Sequence, residues 1–561
     1  MTLRRGLLAL AAFAVCFTAA DTYVIVLALP DIMHGVGLSV DELQRGAPII
    51  SGFLLGYVAM LPLIGRIADL RGRAPVLVAG LVLFAFGSFV TALSYGLPTI
   101  VAGRFLQGVG AGALVPATLA LVADLYPVER RAMPLGLVSA AQELGAVLGP
   151  LLGAAILAIT DWRAIFALNL VVAVVLAVAI RTRDRSPLRV PDLLGVLIAA
   201  ATAVAAMLLT IKPTSLVTDL TWGELYVPVT GLSDWMTPLG LTVIGGSVLF
   251  VVRCLVARRP LIDLRRWWSD TRAADLPGAF LLALALGGVV LAFAEADPKV
   301  SVLTPLGGWY LAISALALVA FVVHLRRTPT PLIAPATLRA RPAWGGVLVS
   351  FFVGAALVVA LVDIPLFART TIYTDSQLLA ALVLVRFLVA LPIGAVAGGW
   401  LVQRLSPALV AAGGMVLAAL GFALMASWDA DALSSFWATV PLVLGGLGFG
   451  LALAPINHAV LAAAPEQSHG VASAATVVAR MIGMLVGISV LTGIGLRRYY
   501  AEQANLPPVQ EVCSGKSRCA EFSALIQNAG IAQEHAVFVG AAGAATIAAV
   551  LALLLLGRRT G

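Results

Sequence analysis

Charge is what this chain has least of. Only 11% of its 561 residues are Asp, Glu, Lys or Arg, while 61% are hydrophobic. A soluble protein of that length needs about a quarter of its residues charged to coat its surface. A water-soluble globular fold is therefore excluded, and most of the surface must meet lipid. Histidine and cysteine are scarce too, five and four residues respectively. No spacing of them suits a metal, and neither a GxSxG turn nor a glycine-rich nucleotide loop occurs. The sequence thus predicts no enzyme, no cofactor and no metal. The formal charge of +8 comes without any basic-aromatic groove, so no nucleic-acid partner is expected. It fits the accumulation of Lys and Arg in cytoplasmic loops, with Arg181, Arg183, Arg185 and Arg189 as one cluster and Arg258, Arg259, Arg265 and Arg266 as another.

Long apolar runs are abundant instead. Each is roughly 20 residues, enough for a helix to cross a hydrocarbon core about 30 Å thick, and a helix satisfies its own backbone there. Residues 1–20 imitate a secretory signal, but the apolar stretch resumes after the single acid Asp21, which makes an uncleaved first helix the better reading. Six spans fall within residues 1–185 and six within 343–561. Between them, residues 186–342 hold four more, near 192–211, 237–256, 276–296 and 306–325. The expected architecture is an all-α polytopic membrane protein of two six-helix bundles and a four-helix linker. An even number of spans leaves both termini cytoplasmic. The linker looks like a duplicated hairpin: Asp192-Leu193-Leu194-Gly195 recurs as Asp275-Leu276-Pro277-Gly278, Thr237-Pro238-Leu239-Gly240 as Thr304-Pro305-Leu306-Gly307, and Pro260-Leu261-Ile262 as Pro331-Leu332-Ile333. An external loop is expected at 498–532. Cys513 and Cys519 lie in it, on the side where disulfides persist, and a small disulfide loop follows.

Against this apolar background a few polar residues stand out. Gly65-Arg66-Ile67-Ala68-Asp69-Leu70-Arg71-Gly72-Arg73 closes the second span; Gly72 allows a tight turn, and Asp69 and Arg73 place charges where helices meet the cytoplasm. Arg104 lies within the fourth span and needs a partner, because an unpaired Arg in mid-membrane is costly; Asp21 in the first span is the natural one. In the fifth span Gly145, Gly149 and Gly153, spaced by four, let helices approach closely, and Pro150 bends the span. Glu143 just before them is a second intramembrane acid, and Arg480 in the eleventh core helix is a plausible opposite charge across a central cavity. Asp363 and Arg386 are further candidates, placed near helix ends where snorkelling makes a charge cheap.

These motifs resemble those of the major facilitator superfamily, in its drug:proton antiporter branch. The loop at 65–73 is similar to the superfamily's signature loop, except that Leu70 stands where a basic residue commonly follows the Asp. The Gly145–Gly153 segment resembles the antiporter motif of exporters. Longer stretches resemble the mycobacterial triacylglyceride exporters that work with a lipoprotein: Asp21-Thr22-Tyr23-Val24, Ala141-Gln142-Glu143-Leu144-Gly145, Leu361-Val362-Asp363, Ala390 through Val396, and His469-Gly470 through Ala479-Arg480-Met481. The resemblance implies a proton-coupled secondary transporter of the bacterial inner membrane, exporting hydrophobic substrates of the triacylglyceride type. Multidrug efflux is the alternative on the same fold. It also implies that Asp21 and Arg104 handle the proton, that Glu143 and Arg480 form an interbundle lock, and that Gly65, Asp69, Gly72 and Arg73 form a cytoplasmic gate. Membrane lipids, protons and a periplasmic lipoprotein are the implied partners. Two features depart from that family: the duplicated linker adds two spans, and Arg386 stands where an apolar residue is expected.

Overall fold

Helix starts are written into the sequence as proline and small hydroxyl residues. Pro48, Pro98, Pro238 and Pro407 sit in the first turn of their helices, where the missing N–H costs nothing. Thr237, Ser376 and Ser406 cap theirs, accepting from the backbone N–H of Gly240, Leu379 and Leu409. In the computed structural model, which describes residues 2–38, 43–183, 192–212, 214–231, 234–258, 260, 262–294, 304, 306–373, 376–513 and 519–557, these signals resolve into long helices and, among the described residues, no strand.

The first bundle comprises α1 (Thr2–Gly35), α2 (Pro48–Arg71), α3 (Arg73–Ala92), α4 (Leu97–Leu125), α5 (Ala132–Leu157) and α6 (Arg163–Arg183). The linker supplies α7 (Leu193–Ile211), α8 (Pro238–Val256), the short amphipathic α9 (Leu264–Ala273), α10 (Leu276–Ala294) and α11 (Gly307–Arg327). The second bundle is α12 (Arg341–Thr370), α13 (Gln377–Leu401), α14 (Pro407–Met425), α15 (Thr439–Ala463), α16 (His469–Ala504) and α17 (Ala520–Leu555). Among the described residues fifteen helices are long and apolar enough to cross a membrane, and Leu193–Leu209 in α7 is a shorter apolar one. Each bundle buries its own apolar core. The start of α12 meets the end of α17 at Gly345 and Leu555. Since successive core helices alternate in direction, both chain ends lie on one face, called here the termini face.

Within the linker, α7 packs on α8 and α10 on α11, and α10 also rests against α2 and α16. The two hairpins are tied in the same way. Asp192, at the start of α7, takes Arg253 Nη2 at 2.9 Å from near the end of α8. Asp275, at the start of α10, lies 2.7 Å from His324 Nε2 near the end of α11. Arg253 precedes Pro260 by the same seven positions that separate His324 from Pro331, so the two ties occupy equivalent places in the repeated motifs. The stretch 184–190, with the expected basic residues Arg185 and Arg189, lies outside the described residues, as does Arg259.

The ends of α16 and α17 differ from the sequence expectation. The loop expected over 498–532 is largely helical, because α16 continues to Ala504 and α17 already begins at Ala520. Each is 36 residues long, or about 54 Å at 1.5 Å per residue, well beyond the roughly 30 Å of a hydrocarbon core. The reason is local. Neither Arg497–Ala504 nor Ala520–Gln533 contains a proline or a cluster of turn residues, so nothing stops the helix when it leaves the lipid. Cys513 and Cys519 are joined by a disulfide in the connection between them.

Candidate functional site

The polar residues that looked isolated along the sequence come together in three places on the interface between the bundles or beside it. The first is inside the amino-terminal bundle. Arg104 on α4 reaches Asp21 on α1, Nη1 to Oδ2 at 2.8 Å, and both side chains are essentially sealed from solvent. The same Nη1 donates to Gln107 Oε1 at 3.0 Å, and Gln107 in turn donates to Ser88 on α3 at 2.7 Å. The second carboxylate oxygen of Asp21 accepts from Asn169 Nδ2 on α6. The guanidinium lies over the Phe53 ring, 4.4 Å from its centroid. A charge pair removed from water gains only if the remaining lone pairs and protons find partners. Here the carboxylate is held by Arg104 and Asn169, and Phe53 covers the guanidinium, whose Nε finds no acceptor among the described residues. Sequence reasoning missed Asn169 and Gln107. Their signal was present as amides within apolar helices, where an amide is costly unless bonded.

The glycines of α5 set α1 beside this network. A methyl group added at Gly145 would stand 2.1 Å from Cys16 O, and one at Gly149 2.5 Å from Ala20 O. Only a bare backbone permits that approach, and it fixes the α1 segment carrying Asp21. Pro150 lies within the same helix and Gly153 is buried one turn further on.

The second place lies between the bundles. Glu143 on α5 and Arg480 on α16 face each other, Oε1 to Nη1 at 3.9 Å. Both are largely buried, and the half-buried Tyr23 on α1 and the buried Tyr57 on α2 lie within electrostatic reach of both. Arg480 also borders a narrow crevice between the halves, whose polar lining includes Ser139, Gln142, Ser350, Asn457 and Thr476.

The third place is on the termini face. Asp69, near the end of α2, accepts from the backbone N–H of Gly470 at 2.8 Å and of Val471 at 3.1 Å, the first free donors of α16. Arg73 braces it at 2.5 Å and also reaches Asp124 at 3.2 Å. Gly72 turns the chain between α2 and α3 at φ 98°, a left-handed conformation that a side chain would resist. At Gly65 a methyl would lie 2.7 Å from Gly470 O, so the two helices touch backbone to backbone. A second seam closes the same face, where α5 meets α13: a methyl at Gly136 would stand 2.6 Å from Ala395 O, and one at Gly399 2.7 Å from Ala132 O. The bundles are therefore shut against each other at this end. The neighbouring Arg71 bonds Asp270 of the amphipathic linker helix α9 at 2.6 Å and stacks on Trp267 at 4.3 Å.

Two expectations need correction. Asp363 does not snorkel at a helix end. It is buried on α12 and hydrogen-bonded to Glu534 on α17, an acid that the sequence analysis did not single out. Arg386 is also inside its helix, donating to Thr439 Oγ1 at 3.2 Å, which accounts for a cation where an apolar residue was expected.

The model of the Major Facilitator Superfamily matches residues 11–296 and 275–488. The chain belongs to the major facilitator superfamily. Superfamily members with solved structures share the fold at low identity: the human organic anion transporter TETRAN, at 14% identity and a TM-score of 0.58, is covered over 99% of its length by 98% of this chain. A proton:xylose symporter bound to a bromodeoxyglucose gives a TM-score of 0.55, also at 14% identity, with 99% of this chain and 96% of the symporter covered. Curated superfamily relatives are much nearer in sequence. A triacylglyceride transporter of Mycolicibacterium hassiacum is 37% identical over 97% of this chain and 91% of its own. One of Mycobacterium tuberculosis (strain H37Rv) is 36% identical over 99% and 95%. The protein is thus a multi-pass membrane transporter of this superfamily.

Proposed function

We propose that this transporter is a proton-coupled exporter that moves lipids of the triacylglyceride type out of the bacterial cytoplasmic membrane by alternating access. The observation that carries the mechanism is the sealed Asp21–Arg104 pair. Burial disfavours an ionised carboxyl and an adjacent cation favours it. A change in their separation would therefore take up or release a proton at Asp21, while Asn169 keeps the carboxyl oriented in either state. Gly145 and Gly149 transmit any shift of α5 to the α1 segment that bears Asp21. Glu143 and Arg480 lie on α5 and α16, the same two helices that form the closed seams with α13 and α2. Their contact strengthens or breaks as those seams exchange. In this reading the termini face is cytoplasmic and the Asp69–α16 contact is its latch.

The substrate reading is supported by the names of relatives that match nearly the whole chain. It is also supported by the length of α16 and α17, which extends protein beyond the bilayer beside the exit path. A periplasmic lipoprotein would receive the lipid there.

The test is reconstitution into proteoliposomes with an imposed proton gradient, offering labelled triacylglyceride and a cationic dye separately. Gradient-driven lipid movement that Asp21→Asn abolishes is the expected result. Movement of the dye alone would make the protein a multidrug antiporter on the same fold, and normal lipid transport by Asp21→Asn would remove that residue from coupling.

A further inference from the structure

The carboxyl-terminal bundle contains an acid pair that the reading above does not use. Asp363 on α12 and Glu534 on α17 are both buried, 3% and 1% exposed, and are hydrogen-bonded to each other. Gln533 donates to Glu534 Oε1 at 3.2 Å, while Glu534 Oε2 has no hydrogen-bond donor from any other described residue. The register of the two helices is fixed independently: Gln527 Nε2 donates to Thr370 O at 2.9 Å. Thr370 lies seven residues after Asp363, and Gln527 seven before Glu534. Seven residues is about two helical turns, which returns to the same face. The antiparallel pairing that joins Gln527 to Thr370 thus brings the two acids face to face.

The halves of this fold are parallel repeats, and the pair has a counterpart. In the first bundle the first and sixth helices supply Asp21 and Asn169, and the fourth supplies Arg104. In the second bundle the first and sixth helices supply Asp363 and Glu534, but the fourth, α15, carries no Arg or Lys. Charge balance therefore differs. The first site is neutral as an ion pair. The second holds two carboxyls and, among the described residues, no cation, and two carboxylates in contact cannot both be ionised in such a setting. Neighbouring elements do not supply the missing charge. Packed α14 carries no titratable side chain. Arg386 on α13 donates to Thr439, Arg480 on α16 faces Glu143, and Arg498 pairs with Glu502. Arg369 and Arg497 are exposed, and Arg341 begins α12 at the opposite end from Asp363. His458 on α15 and His469 on α16 lie toward the termini face. His535, next to Glu534, turns its Nε2 to Trp428 O.

We infer that Asp363 and Glu534 form a second proton-binding site, in which a proton held between the two carboxyls takes the place that Arg104 fills in the first bundle. Its part in transport rests on the proton-coupled reading; the site itself does not. The proton moves without any covalent step: it bridges the two carboxyls while the helices are packed and leaves when α12 and α17 separate enough to admit water.

Infrared difference spectroscopy of the reconstituted protein, in light and heavy water, reads protonated carboxyls directly. The double variant Asp363→Asn/Glu534→Gln removes both acids while keeping shape and hydrogen-bonding capacity. Its folding is checked by monodispersity in detergent. The expected result is a carboxylic-acid band in the wild type that persists in Asp21→Asn and vanishes in the double variant. The double variant, which keeps Asp21, should also show a pH profile of proteoliposome transport shifted from that of the wild type. An identical band pattern in the double variant, or an unchanged pH profile of transport, would overturn the proposal. Failure of the first-bundle reading alone would appear as normal transport by Asp21→Asn with the band still present, which separates the two ideas.

Discussion

At the scale of single residues, the decisive quantity is how many hydrogen bonds each buried charge commands. Asp69 commands two backbone donors at the start of α16 as well as Arg73. A carboxylate at a helix N-terminus gains about 0.3–1 kcal/mol from the dipole, up to roughly 2 where partly buried. Asp69→Asn should therefore open the termini face, shifting the conformational balance by about five- to thirtyfold if 1–2 kcal/mol is lost. Distances between spin labels on α2 and α16 measure that directly. Glu143 and Arg480 face each other across the bundles at 3.9 Å, so Glu143→Ala and Arg480→Ala should each disturb the same equilibrium. The double variant should be no worse than either single one, with a coupling of about 0.5–3 kcal/mol in a double-mutant cycle. Additive effects in the same label distances would separate the two residues.

Among the elements, α5 has little room to vary where it meets α1. Gly145 and Gly149 are in backbone contact with α1, and adding methyl groups to a packed interface costs about 1–3 kcal/mol or more. Gly145→Val should lower the thermal unfolding temperature and reduce transport together, since the displaced helix carries Asp21. The equivalent change at Gly413, where nothing lies within 4 Å, should do neither. This contrast also explains what could be read beforehand. Periodic glycines, a lone Arg in an apolar run and a run's length are local signals, so the helices and the contact of Asp21 with Arg104 were within reach of the sequence. Asn169 and Gln107 were not, because an amide's need for a partner does not say from which helix it comes. Glu534 was hidden for another reason. It sits in a stretch, Phe522–Ala536, whose amphipathic pattern suits a helix on a surface, and only the packing of α17 on α12 and α14 turns that face inward. The helical extension past Arg497 was equally illegible, because leaving the lipid does not by itself end a helix.

For the whole molecule, the two seams at the termini face make closure a property of both bundles at once. The α2–α16 contact and the α5–α13 contact sit on either side of the interface, so neither can open while the other is held. Gly136 and Gly399 pack backbone to backbone, and adding side-chain bulk to a packed interface costs about 1–3 kcal/mol, so Gly136→Val should hold the termini face open and lengthen the distance between spin labels on α5 and α13. The linker adds a further restraint at this face through Arg71, Asp270 and Trp267. Asp270→Asn should weaken it without touching the Asp69 contacts, which hydrogen exchange in α9 and in the start of α16 would distinguish: faster in the first, unchanged in the second.

The helix α16 gives that closure a mechanical reach. Many of the core helices have a proline within them, among them α1, α2, α4, α5, α12 and α15. Proline bends a helix and gives it a joint. In α16 there is none across 36 residues, so Gly470, Arg480 and the far tip at Ala504 lie on one continuous helix. A lever of about 54 Å pivoting at its latched end moves its tip by roughly 9 Å for a tilt of about ten degrees. A shift at the Asp69 contact would thereby be delivered, magnified, to the opposite side of the bilayer.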